Sequence, residues 1–384
     1  MKKLFPALAV ATAALLVAGG CSFPTATSTK QDPGTSVKAE QALAKLKDEP
    51  GTPGPNGEPP TPPSAVVLTP AEIDKIKALH AKAGISLHFG GNDWSNAQTA
   101  GLQSEFEKLG IEVVAVTDAG FSPDKQTSDI ETMLAKKPDV LVSIPTDTTA
   151  TAPAYKKAAD AGVKIVFMDL AAKGLVPGKD YVAIVSADNY RLGIVTANLM
   201  AKGIGGKGDI GMIYHGIDFP VNNQRRQGAL DTFKADYPDI HIVEQKGIVG
   251  PDFAGDAQNV ASAMLSKYPD LKGIWAIWDV PAEGVMAAAR ATGRLDLAIT
   301  AQDLGQIVAI GLARNQLMVG VAAQVPFDQG VTEARIAAGA LIGKQEPTYV
   351  SLGALPVTHE NVLEAWTQVY HQPPPDALKN AYVP

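Results

Sequence analysis

The chain reads as α/β, with two doubly wound units in tandem and a ligand cleft between them. Three observations predict this. Short β-branched or apolar runs recur along the sequence, each separated from the next by a helix-length amphipathic segment. The runs are continuous rather than alternating, as in parallel strands covered by helices on both faces. The alternation of strand and helix runs its course once and then begins again.

Taken in order, Thr69-Pro70-Ala71-Glu72 opens the first helix of the body, with Thr69 as N-cap and Pro70 in the first turn. Ile73, Ile76 and Leu79 give that helix one apolar face. Strand runs at 85–89, 111–116, 140–144 and 163–168 then alternate with helical segments at 97–109, 125–136 and 150–161. The second series has strands at 209–214, 240–243, 273–277, 297–301 and 319–323, with helices at 222–235, 254–266 and 282–291 among them. Loops at the strand ends of two such units would flank a cleft.

A different composition precedes this body. Lys2 and Lys3 lead into an apolar stretch over 4–17, followed by Ala18-Gly19-Gly20-Cys21. That is the layout of an export signal, too short and wrongly flanked for a membrane span. Cys21, the only cysteine, resembles the processing site of bacterial lipoproteins, where the thiol is acylated and becomes residue 1 of the mature chain. Ala18 stands where such sites usually carry a bulky residue, and a signal peptide that merely ends near a free cysteine is the alternative. Residues 22–68 are rich in Ser, Thr and Lys, then in Pro and Gly, and cannot bury enough apolar surface to offset their ordering entropy. They read as an extended, disordered tether, with a Pro-rich docking site for a partner as the alternative. Residues 69–84 then form a short leading helix.

One cysteine forms no internal disulfide, so an exported chain of this kind depends on its core. With 384 residues, 46% hydrophobic and 19% charged, it has material for two domains. A formal charge of -7 and a pI near 5.4 argue against nucleic acid, whose binding is driven by Lys and Arg. No later stretch approaches the ~18 apolar residues of a membrane helix, so a lipid would be the only anchor.

Several signals of enzymes and cofactors dissolve on inspection. Gly206-Lys207-Gly208-Asp209-Ile210-Gly211 satisfies a dinucleotide-binding spacing, but it ends a helix and leads into a strand, the reverse of what that chemistry needs. The histidines at 80, 88, 215, 241, 359 and 371 lack metal-ligand spacing. No nucleophile elbow or phosphate-binding lysine loop is present. The expectation is therefore no enzyme, no metal and no cofactor.

From about Ile85 to Ser351 the chain resembles the ribose-type (type I) periplasmic sugar-binding proteins of ABC importers. The resemblance rests on Gly91-Asn92-Asp93-Trp94, Leu109-Gly110, Ser143-Ile144-Pro145-Thr146-Asp147 and Ala161-Gly162-Val163 leading into Val166-Phe167-Met168-Asp169. It continues through Ser186-Ala187-Asp188-Asn189, Arg225-Arg226-Gln227-Gly228 and Gln324-Val325-Pro326. Sugar-responsive repressors share that fold but carry a DNA-binding helix-turn-helix where this chain has an export signal and tether. The resemblance implies two lobes joined by a hinge with three crossings, near Ala187-Asp188, Gln324-Val325 and 347–350. The N-terminal lobe would hold 85–187 plus 325–347, and the C-terminal lobe 188–324 plus 348–384. The tail from 357 onward, beyond the resemblance, reads as surface packing.

The resemblance also implies ligand-binding residues: Asn92, Trp94, Asp169, Arg225, Phe253, Trp278, Asp303 and Gln324. Carboxylates, amides and arginine hold neighbouring hydroxyls in pairs, and aromatic rings cover apolar C–H faces. Asp169 closes an apolar strand, where an unpaired carboxylate is costly; Asp188 and Asp279 read as helix caps. Three positions depart from the ribose-type pattern. Asp169 is followed by Leu170 instead of arginine, Trp278 replaces an asparagine before Asp279, and Gln302 replaces an aromatic before Asp303. The site thus loses a cation and an amide and gains an indole, which points to a small neutral sugar, polyol or cyclitol, with a cationic ligand as the weaker alternative. The expected partners are an ABC permease and its ATPase for a lipid-anchored, extracytoplasmic, monomeric receptor. A receptor for a sensor kinase or chemoreceptor, and an exported α/β enzyme, remain the rival readings.

Overall fold

The computed structural model describes residues 33–46 and 51–384. Cys21 and the export signal expected around it lie outside the described residues. The N-terminal segment supplies α1 (Pro33–Lys45) and α2 (Pro70–Lys77). The first lobe continues through β1 (Lys82–Leu87), α3 (Asp93–Lys108), β2 (Glu112–Asp118), α4 (Pro123–Leu134), β3 (Val140–Ser143), α5 (Ala152–Asp160), β4 (Lys164–Met168) and β5 (Ala183–Ala187). The second lobe holds α6 (Asn189–Ile204), β6 (Gly208–His215), α7 (Pro220–Asp236), β7 (Ile240–Ile248), α8 (Phe253–Lys267), β8 (Gly273–Ala276), α9 (Asp279–Ala291), β9 (Ala298–Gln302), α10 (Gln306–Ala313) and β10 (Met318–Ala323). The chain ends with α11 (Pro326–Leu341), β11 (Tyr349–Leu352), β12 (Leu355–Val357), α12 (Val362–Tyr370) and α13 (Asp376–Ala381).

Local chemistry accounts for the helix starts. Thr69 and Glu72 form a reciprocal capping box, as do Asn92 and Ser95. Ser122, Asp188 and Asp252 each accept from a backbone N–H three residues on. Gly205, Gly206 and Gly208 all have positive φ, so the run that mimics a dinucleotide loop is the turn from α6 into β6.

The strands form two six-stranded sheets, ordered β11-β5-β4-β3-β1-β2 and β12-β10-β9-β8-β6-β7. All pairs are parallel except β10 with β12. The second order repeats the first position by position, so this is the two-lobe α/β fold of type I periplasmic binding proteins. Central strands such as β3 and β5 are buried along their whole length, which is why they read as continuous apolar runs. The edge strand β2 is largely solvated.

The chain passes between lobes after β5, after β10 and after β11. The third passage therefore lies at Gly353-Ala354, later than the expected 347–350. The cause is Tyr349–Leu352, which pairs in register with β5 and belongs to the first lobe. Strands β5, β11 and β12 escape the sequence reading because each is short and unaccompanied by a clear helix on one side.

Two other expectations give way. The segment 22–68 is not a free tether over its described part. In α1, Ala39 is fully buried, and Leu43 and Leu46 pack on Leu192, Val195 and Leu199 of the second lobe. Thr61 pairs with Val350 at the open edge of β11, a place that tolerates the prolines around it because an edge strand leaves half its donors unused. The C-terminal tail is not surface packing either: Val362, Val369 and Leu378 are buried in the core of the second lobe.

Candidate functional site

The ends of β1, β2, β3 and β4 in one lobe face those of β6, β7, β8 and β9 in the other. Between them lies a cavity of about 90 Å3, lined by all eight residues that the sequence reading selects: Asn92, Trp94, Asp169, Arg225, Phe253, Trp278, Asp303 and Gln324.

Two aspartates anchor its polar end. Asp169 directly follows β4 with φ +59, and Asp303 directly follows β9 with φ +66. A left-handed conformation in a non-glycine residue costs on the order of 1 kcal/mol and turns the side chain out of the strand's alternation. Asp303 accepts from Arg225 Nη1 at 3.1 Å and from Gln324 Nε2 at 2.6 Å. Arg225, on α7, is only 4% exposed, and its Nε donates to Asn189 Oδ1 at 2.8 Å. Asp169 Oδ1 accepts from Ser186 Oγ at 3.1 Å, from Ala187 N at 3.3 Å and from Gln329 Nε2 at 3.4 Å. Burial pushes the Asp169 carboxyl up to about 6, against the pull of Arg225 and these donors. Behind it, Glu333 on α11 accepts from Gln98 at 2.7 Å and from Gln329 at 3.2 Å, and burial beside Asp169 raises its pKa well above the carboxylate range.

The other end is aromatic. Phe253 packs edge-on against Trp278 with ring centroids 5.0 Å apart, and Phe121 of the first lobe meets Phe253 of the second at 5.7 Å. Asn92 spends its Oδ1 capping α3 through Ser95 N at 2.8 Å, and its amide nitrogen makes no hydrogen bond among the described residues. Asp93 beside it reaches across the cleft and accepts from Gln306 N at 2.8 Å, the first residue of α10.

Sequence reasoning missed several lining residues, among them His88, Phe121, Phe219, Asn222 and Asp279. His88 stacks on Phe219 at 5.8 Å, and burial, with His215 and Arg225, holds its pKa down at about 3, so the ring is neutral. Their signal was position alone: each stands within a few residues of a strand end that faces the cleft. Asp279 is a correction. Trp278 occupies the N-cap position of α9, and Asp279 lines the cavity with Oδ1 accepting from Val280 N at 2.8 Å. Burial, then Asp303, Glu283 and Asp93, hold its carboxyl well above the usual range. Asp188 does cap α6, through Arg191 N.

The arrangement therefore presents one matched ion pair and two carboxyls whose hold on a proton is raised by burial, so a further negative charge from a ligand is disfavoured. Trp94 Nε1, His88 Nδ1 and Gln324 Oε1 are buried without hydrogen-bond partners among the described residues. One is a donor, one an acceptor and the third either, according to tautomer.

The model of the periplasmic binding protein domain matches residues 83–345. The D-ribose/D-allose-binding protein of Pseudomonas aeruginosa is 33% identical over 244 residues, 60% of this chain and 75% of its own length. The ribose import binding protein RbsB of Bacillus subtilis is 26% identical over 273 residues, 70% of this chain and 84% of its own. Among solved structures, an ABC transporter solute binding protein from Agrobacterium vitis with bound allitol superposes with a TM-score of 0.65 at 26% identity. It covers 74% of this chain and 98% of its own.

Proposed function

This chain belongs to the periplasmic binding protein family, and from that premise we propose that it captures a small neutral polyol or sugar between its lobes and delivers it to an ABC permease. One observation carries the reading: eight residues scattered over more than 230 positions converge on a single cavity whose carboxyls, amides, guanidinium and aromatic rings suit hydroxyls and C–H faces. The names of the relatives support the ligand class. A cavity of about 150 Å3 holds benzene, so at ~90 Å3 the lobes must part to admit a sugar or a polyol. The molecule would leave unchanged, in keeping with relatives that are named as binding proteins.

A thermal-shift screen over tetritols, pentitols, pentoses, hexoses, sugar acids and amines, followed by calorimetry, tests the ligand class. Stabilisation by neutral polyols is expected; tight binding of a sugar acid would overturn the reading, and a protein-dependent change in the ligand's mass would replace it with an enzyme. Acylation at Cys21, outside the cytoplasm, completes the proposal. Cys21→Ser should abolish incorporation of labelled palmitate and release the protein from membranes, and continued labelling would remove the anchor.

A further inference from the structure

The segment ahead of the family match grips both lobes. On the second, α1 lies along α6, with Lys202 Nζ 2.8 Å from Glu40 Oε1. The fit is close: a Cβ added at Gly206 would come within 2.6 Å of Thr35 Oγ1. On the first lobe, Thr61 donates to Tyr349 O at 3.3 Å and accepts from Ser351 N at 3.0 Å, and Val66 enters the core.

Between these two holds, Thr52 donates twice to one carboxylate. Its backbone N–H reaches Asp188 Oδ2 at 2.8 Å, and its hydroxyl reaches Oδ1 at 2.7 Å. Asp188 is 2% exposed, pairs with Arg191 Nε at 3.3 Å, and stands where the chain first passes between lobes. The residues on either side of it hold the polar end of the cavity. Ala187 N donates to Asp169, and Asn189 Oδ1 receives Arg225 Nε. Asn189 Nδ2 also donates to Ala187 O at 3.1 Å, so the two supports move together. A shift of Asp188 therefore displaces the acid of one lobe and the cation of the other at once.

We infer that Thr52 is a positioning residue for the ligand cavity, acting through Asp188. The N-terminal segment is then part of the hinge rather than a passive leash. This rests on the cavity being the ligand site, but the hinge effect can be read without any ligand.

The test compares Thr52→Val, which keeps the shape and removes the hydroxyl donor, with Thr52→Ser, which keeps the donor. Hydrogen exchange of the Ala187 and Asp188 amides is measured in ligand-free protein, and allitol is titrated by calorimetry. Thr52→Val should speed exchange at those amides about tenfold, the size expected for a lost hydrogen bond to a buried charge. Allitol binding should weaken by a similar factor, while Thr52→Ser matches the parent in both. Parent-like exchange in Thr52→Val, or a defect shared by Thr52→Ser, overturns the inference. If the parent itself ignores allitol, the proposed ligand class suffers, and the exchange result still decides the role of Thr52.

Discussion

Asp169 and Asp303 occupy the same place in the two lobes. Each follows the third strand in its sheet order, each is left-handed, and each donates its amide to the neighbouring strand, to Val185 O at 2.8 Å and Ala322 O at 3.0 Å. Their side chains meet opposite company. Asp303 faces a guanidinium and an amide, whereas the direct partners of Asp169 are a hydroxyl, a backbone N–H and an amide, all neutral. The repeated fold sets where a carboxyl stands, and its neighbours set what it does. Asp303 is committed to holding Arg225, while Asp169 keeps its charge adjustable and available to a ligand.

The largest effect should come from breaking the committed pair. Asp303→Asn leaves the Arg225 guanidinium buried without the carboxylate charge that pairs it. Removing one member of a buried ion pair costs about 3 kcal/mol or more, and urea unfolding at pH 7 should show a loss of that order. A loss under about 1 kcal/mol would mean that the pair is as dispensable as a surface bridge and that the two acids are not so different after all.

Asp169→Asn should behave in the opposite sense. The folded-state pKa near 6 lies above the ordinary 3.8, so the folded state holds its proton more tightly than the unfolded chain. The penalty is absent below about pH 4, grows as pH rises through 6, and is level above it. Replacing the acid should remove that penalty and raise ligand-free stability at pH 7 by on the order of 1 kcal/mol, while ligand affinity falls about tenfold. Glu333, Glu283 and Asp279 titrate in the same direction, so the informative quantity is the parent-minus-variant difference across pH 4–7. A difference that is flat with pH would show that Asp169 is ionised throughout, as a charge-paired acid would be.

Both ends were legible in the sequence in part: Trp94, Phe253 and Trp278 at the aromatic end, and Asp169, Arg225, Asp303 and Gln324 at the polar one. Asp169 and Asp303 announce themselves because a carboxyl closing an apolar strand has few places to go. Arg225 was marked by its Arg-x-x-Gly setting, and Gly228 explains that spacing: a Cβ there would meet Tyr190 O at 2.0 Å, so α7 packs backbone to backbone on α6 and holds Arg225 in place. Phe121 and Phe219 give no such sign, since an aromatic in a loop reads equally well as core. Among folds, the paired strands that repeat with their helices were visible, but β11 and β12 depend on long-range pairing that no local period reports. The docking of α1 was hidden by composition: a lysine- and alanine-rich helix buries little, and Ala39, Leu43 and Leu46 matter only because a matching patch exists on α6.

The smallest effect should sharpen the contrast most. Gln329 Nε2 has two hydrogens and three acceptors around it: Val185 O at 3.0 Å, Glu333 Oε1 at 3.2 Å and Asp169 Oδ1 at 3.4 Å. Its own Oε1 is buried without a partner among the described residues. Gln329→Leu keeps the volume, removes the shared donors and also removes the orphaned acceptor, so the two losses oppose each other and stability should change by less than about 1 kcal/mol. The protonation midpoint of Asp169, followed by carboxyl-carbon NMR, should still rise by a few tenths of a pH unit, because the ionised form loses a donor. The same substitution should leave the unfolding cost of Asp303→Asn unchanged, since Gln329 touches neither Asp303 nor Arg225. An unmoved or lowered midpoint would mean that burial alone sets the Asp169 proton, and that its neutral partners do not distinguish it from its counterpart across the cleft.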